Sequence, residues 1–68
     1  MMTNDQVLQH IQHLVGSRYV RSVKPYIAEL TGRTCVVGVD EPMPLDLNPE
    51  RIKIQGNGAG AIVSFIFG

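Results

Sequence analysis

The sequence predicts a small α+β domain, with one or two N-terminal helices packed on a sheet of three to four strands. Three observations predict it. Apolar residues recur at helical spacing through the first half of the chain, and short β-rich runs bounded by Gly, Pro and Asn fill the second half. Between the first two of those runs lies Asp40–Glu50, D-E-P-M-P-L-D-L-N-P-E, which suits neither a helix nor a central strand.

In chain order, Val7, Leu8, Ile11, Leu14 and Val15 follow the i, i+1, i+4, i+7, i+8 rule of an amphipathic helix. Thr3, Asn4 or Asp5 can cap it, and Gly16 can end it. A second helix is expected from Ser17 as N-cap, with Tyr19, Val20, Val23, Ile27 and Leu30 facing inward and Thr31-Gly32 closing it. Pro25 falls inside that pattern, where it deletes a backbone hydrogen bond at a cost of about 3 kcal/mol. The expectation is therefore a helix kinked or interrupted there, or a second turn system that begins at Pro25. Thr34–Val39 reads as a buried strand, Arg51–Gln55 as a second, and Ala61–Phe67 as a third. Gly56–Gly60 is a hairpin turn reversing at Asn57-Gly58. The expected core is Val23, Ile27, Leu30, Val36, Ile52, Ile54 and Ile62.

Bulk properties narrow the function classes. The 68 residues make one domain, 1–68, that buries only about 60% of the surface its unfolded chain exposes. A pocketed active site is hard to build at this size, and a protruding loop is not. Six acidic residues balance six basic ones, so no field steers the chain to nucleic acid or an anionic membrane. The bases Arg18, Arg21, Lys24 and Arg33 lie in the first half and the acids Asp40, Glu41, Asp46 and Glu50 in the second, which reads as a solvated helix face and an acidic loop. The single Cys35 excludes an internal disulfide, and its strand-like neighbours suggest a buried, inert thiol. No apolar run approaches the ~20 residues that span a bilayer. The polar start of the chain lacks the apolar stretch of a leader, so a cytoplasmic location is expected unless a leader has been removed.

Enzyme and cofactor signals are weak. His10 and His13 share a helix face without a third ligand at helical spacing, so neither metal nor cofactor is expected. No G-x-S-x-G elbow accompanies the Ser, His and Asp residues, and the Gly56–Gly60 run lacks the lysine of a phosphate loop. The chain is not expected to be an enzyme.

The loop carries the strongest signal. Pro42, Pro44 and Pro49 fix their own φ and push Glu41, Met43 and Asn48 toward extended conformations. The result is a stiff, extended segment that carries Met43, Leu45 and Leu47 outward while Met43 and Leu45 keep their N–H groups. Arg51-Ile52-Lys53-Ile54 follows with strict alternation, placing both cations on one strand face within reach of Asp46.

Leu45-Asp46-Leu47 with the later Arg51-x-Lys53 resembles the eglin-type loop of the potato type I serine protease inhibitors. Leu14-Val15-Gly16, Tyr19, Val23, Val36-Val37, Ile62-Val63-Ser64 and Gly68 have the spacing of a related small fungal and bacterial elastase-inhibitor family. The resemblance spans roughly residues 7 to 68 and implies a mixed sheet, the strands flanking the loop parallel and the last antiparallel. It also implies a serine protease as partner, subtilisin-like, elastase-like or chymotrypsin-like. Leu45 would fill the primary specificity pocket and Leu45–Asp46 would be the reactive bond. Pro42, Met43 and Pro44 would lie on the non-primed side, Leu47 and Asn48 on the primed side. Arg51 and Lys53 would support the loop through Asp46. Two departures weaken that support: Pro44 stands where the family often has threonine, and Lys53 where arginine is common, so slow cleavage of the loop is also expected. The alternative is a non-inhibitory interaction module on the same scaffold, using Met43, Leu45 and Leu47 to bind another protein or a second copy of the chain. The first helix's apolar stripe is a further candidate homodimer surface.

Overall fold

Thr3, among the three candidate caps, is the one that starts the first helix, α1 (Asn4–Ile11). Its hydroxyl accepts from the Gln6 N–H at 3.2 Å while the Gln6 side chain accepts from the Thr3 N–H at 2.9 Å, a reciprocal capping box. The computed structural model describes residues 2–68, and Met1 lies outside them. α1 buries Val7 and Ile11 completely. The expected helix does not continue to Val15. The chain tightens into a 3-10 turn at Gln12–Leu14, and Val15 is exposed. Gly16 then takes a left-handed φ of 91°, and residues 16–19 run along the last strand, with bonds from Gly16 N to Ile62 O, Ile62 N to Ser17 O and Tyr19 N to Gly60 O.

That pairing is why no helix begins at Ser17. The second helix, α2, spans Val23–Thr31 with Ser22 at its N-cap. Pro25 is therefore its third residue, inside the first turn, where the missing N–H is one of the four that a helix leaves unbonded anyway. The carbonyl its ring would strike, that of Arg21, lies outside the helix, so α2 is neither kinked nor interrupted. Val23 and Ile27 point into the core, whereas Leu30 is 37% exposed and Val20 is exposed, against expectation. Gly32 ends the helix at φ 72°, its N–H on Ala28 O.

The sheet has three strands, β1 (Val36–Val37), β2 (Ile52–Gly56) and β3 (Ile62–Phe67), in the order β1-β2-β3. β1 pairs parallel with β2, Val36 opposite Ile52 and Val37 opposite Lys53. β3 pairs antiparallel with β2, Ile54 opposite Phe65, with a slip at Gln55/Gly56. The fold is thus α+β with a mixed sheet, at the lower end of the expected strand number. β1 is shorter than the expected Thr34–Val39 because side chains take over its backbone groups: the Gly38 N–H goes to Glu41, and the Gly38 and Val39 carbonyls go to Lys53. At the hairpin, Asn57 Oδ1 accepts from the N–H groups of Ala59 and Ala61, and the left-handed residue is Gly60 rather than Gly58.

Helices and sheet close over Val7, Ile11, Val23, Ile27, Val36, Ile52, Ile54 and Ile62. Among the described residues no helix is long and apolar enough to cross a membrane.

Candidate functional site

Between β1 and β2 the chain leaves the sheet at Gly38 and returns at Arg51. Every residue from Asp40 to Leu47 is exposed. Leu45 and Leu47 are 102% and 97% exposed, as open as in an extended peptide, and Met43 is 39% exposed. Each leucine left in water forgoes about 1.5–3 kcal/mol of burial. Pro42 and Pro44 flank Met43, and no peptide bond of the loop is cis.

The loop is held by polar side chains rooted in the fold. Arg51, the residue before β2, lies beneath it at 2% exposure. Its Nη2 donates to Asp46 Oδ1 at 2.7 Å and its Nη1 to the Asp46 carbonyl at 3.2 Å and, more weakly, to the Gly68 carbonyl at 3.4 Å. The Gly68 N–H returns a bond to the Arg51 carbonyl, tying the loop to the end of β3. Among the described residues Arg51 Nε is buried without a partner.

Lys53 does not reach Asp46, contrary to the sequence-based expectation. Its Nζ donates to the carbonyls of Gly38 at 2.6 Å, Glu41 at 3.0 Å and Val39 at 3.4 Å. The register explains this: Lys53 stands beside Val37, so its side chain rises at the start of the loop, while Arg51 rises at its end. The two cations share a strand face and hold opposite stems.

Glu41 completes the first stem. Its Oε1 accepts from the Gly38 N–H at 2.6 Å and from Lys24 Nζ of α2. The Lys24 ammonium, then the Gly38 N–H, holds the Glu41 carboxyl below its ordinary value, and Glu41 in turn raises Lys24. A Cβ on Gly38 would sit 2.3 Å from Tyr19 Oη and 2.8 Å from Glu41 Oε1, so any other residue there would displace the ends of those two side chains.

The second stem closes with a turn in which Asn48 O accepts from the Arg51 N–H and Asn48 Oδ1 from the Glu50 N–H. Arg33, 9% exposed, donates to Asn4 Oδ1 at 2.6 Å, Glu50 O at 3.1 Å and Met2 O at 3.0 Å, and its guanidinium lies 5.8 Å from the Phe67 ring centre. Asn4 Nδ2 reaches Pro49 O.

Arg33, Asn4, Lys24, Glu41 and Gly38 were not singled out by sequence reasoning. The split of bases and acids between the two halves hinted at Arg33, Lys24 and Glu41, and Lys24–Glu41 is one bond across that split; Asn4 appeared in the sequence as a helix-cap candidate and Gly38 carried no signal. Cys35, expected to be buried, is half-buried beside Met2, Arg33 and Asn48. His13 is engaged with Tyr26 Oη at 3.0 Å, and among the described residues no three His, Cys, Asp or Glu side chains gather as metal ligands. Compared with protein-family models, with curated proteins and with solved structures, the chain matches none.

Proposed function

We propose that the protein inhibits a serine protease of subtilisin-like, elastase-like or chymotrypsin-like type by presenting residues 40–50 as a substrate that resists consumption. One observation carries the reading: a fully exposed Leu45 precedes an Asp46 that is bonded to the buried Arg51. The side chain offered to the enzyme is free, and the residue after it is anchored.

Leu45 enters the primary specificity pocket, and Met43 and Leu45 offer their N–H groups to an extended enzyme strand. The protease serine attacks the Leu45 carbonyl. When the C–N bond breaks, Leu45 remains as an ester on the serine and Asp46 becomes a free amine. Arg51 keeps that amine near the ester, where it competes with water. Pre-set proline backbone lowers the ordering cost of binding.

The test is incubation with subtilisin, chymotrypsin and elastase, reading residual activity and intact mass together. Leu45→Gly is expected to remove most inhibition without unfolding the domain. Inhibition unchanged in that variant against each enzyme would move the contact elsewhere, and binding of the loop to another protein without inhibition would favour the interaction-module alternative.

A further inference from the structure

We propose that Lys53, Glu41 and Lys24 form a second clamp, on the amino-terminal stem of the loop, that retains the Leu45 end after the reactive bond is cut and so keeps the cut reversible. The inference rests on the reading of Leu45–Asp46 as a reactive bond.

A cut there leaves two unequal ends. The Asp46 end is five residues from Arg51 on its own segment, and Arg51 holds it directly. The Leu45 end belongs to the other segment, whose last sheet residue is Val37. None of the hydrogen bonds from Arg51 reaches a residue before Asp46. What holds this side is Lys53, a residue of β2 and hence of the Asp46 segment, through the carbonyls of Gly38, Val39 and Glu41. Lys53 therefore ties together the two pieces that cleavage separates. Glu41 folds back on the Gly38 N–H and is fastened to α2 by Lys24, which fixes the same turn from its other side. From Glu41 to Leu45 the chain runs Pro42-Met43-Pro44, so two of the three intervening residues have fixed φ. A clamp at Glu41 thus limits where the Leu45 carbonyl can go.

The chemistry needs no further reactant. In the acyl-enzyme the Asp46 amine attacks the Leu45 ester carbonyl, the C–N bond forms as the C–O bond to serine breaks, and the amine's proton passes through the protease base to the serine oxygen. Hydrolysis is the competing exit. Holding both ends raises the effective concentration of amine at the ester relative to water. Lys53 and Glu41 are positioning residues in this scheme.

Lys53→Met and Glu41→Gln test it. Each is brought to equilibrium with a catalytic amount of subtilisin, starting from intact and from pre-cut chain, and the ratio of cut to intact is read by mass spectrometry. Lys53→Met is expected to raise that ratio about tenfold or more, as loss of charge-assisted hydrogen bonds does. Glu41→Gln is expected to raise it less, and its difference from the parent should close as pH falls through the lowered Glu41 titration. The charged or titratable groups beside Glu41 are Lys24, Lys53, Asp40, Tyr19 and Arg21, and none of the carboxylates among them bonds to the stem backbone. A merely structural loss would not show that pH closure. Denaturant titration identifies any variant that fails to fold; Glu41→Gln and Lys24→Met then carry the test. Ratios equal to the parent's in folded variants overturn the clamp and leave the inhibitor reading standing. A parent that inhibits none of subtilisin, chymotrypsin and elastase overturns both.

Discussion

Replacing Arg51 by methionine should make the loop a better substrate while changing the stability of the fold little. Arg51 makes one short charged bond to Asp46, at 2.7 Å, and two longer ones to carbonyls. The three bonds together contribute about 1.5–3 kcal/mol, of which the exposed Asp46 carboxylate supplies only a part. On the other side of the balance, Nε is buried with no partner among the described residues, a desolvation cost of about 1–3 kcal/mol that methionine does not carry. The methionine chain also keeps most of the packing of a residue that is 2% exposed. The two terms nearly cancel in stability, leaving about 1 kcal/mol or less. They do not cancel in the loop, because the bonds to Asp46 are the whole of what Arg51 contributes to restraining residues 40–47. Freed of them, the loop should be cut at Leu45–Asp46 about tenfold faster. Asp46→Ala, alone and combined with Arg51→Met, completes a double-mutant cycle. Asp46 is 67% exposed, so the pair's coupling in stability is discounted for solvent to about 0.5–1 kcal/mol. Denaturant titration reads the stabilities, and a mass-spectrometric time course with subtilisin reads the cleavage. A cleavage rate equal to the parent's, with no coupling in the cycle, would refute the role assigned to Arg51.

Three further outcomes are expected. Ile54→Ala should cost about 2–5 kcal/mol, since Ile54 is wholly buried, and Leu45→Ala close to nothing; equal losses in denaturant titrations would make Leu45 a core residue. Glu41 has its carboxyl lowered in the folded state, so its contribution is present above the ordinary glutamate value of 4.5 and lost as pH falls through the lowered one. The stability gap between parent and Glu41→Gln should follow that direction, shrink with added salt, and count against the ion pair if it widens toward acid. Gly38→Ala should destabilise by about 1–3 kcal/mol through overpacking, because the new methyl meets Tyr19 Oη and Glu41 Oε1. Tyr19→Phe should recover part of that loss, and no recovery would place the strain elsewhere.

The sequence made the architecture legible where one face of an element is buried along its whole length. Ile52 and Ile54 alternate with Arg51 and Lys53, and the inward pair is wholly buried. The loop span was legible because prolines restrict backbone wherever they sit. No helix begins at Ser17 because the apolar spacing imitates one while the backbone of residues 16–19 is claimed by Gly60 and Ile62, more than forty residues away. Pro25 seemed a break only because the helix start was placed too early. Leu30 fits the helical period of Val23 and Ile27, yet the buried stripe of α2 runs Val23, Ile27, Thr31 at four-residue steps, which turns Leu30 off it toward solvent. Lys53 was assigned to Asp46 by proximity in sequence, whereas the parallel register with β1 decides its partner. Arg33 left no local sign at all, because its three oxygen partners come from residues far along the chain in both directions.

The loop differs from the rest of the chain in what determines its shape. Elsewhere the backbone follows buried apolar side chains. From Asp40 to Leu47 no side chain is buried, so packing cannot specify the conformation. It is set by proline-limited backbone and by bonds that arrive from elsewhere: Lys53 and Arg51 on β2's flank, Lys24 on α2, and Arg33 and Asn4 at the far stem. All of these bonds end on backbone atoms or on Asp46 and Glu41, and none ends on Met43, Leu45 or Leu47. The exposed apolar side chains are therefore independent of the forces that shape the loop. A different side chain at Leu45 changes what the loop offers a partner without changing how the loop is held. In so small a domain, that separation lets the contact residue vary while the core and the anchors stay the same.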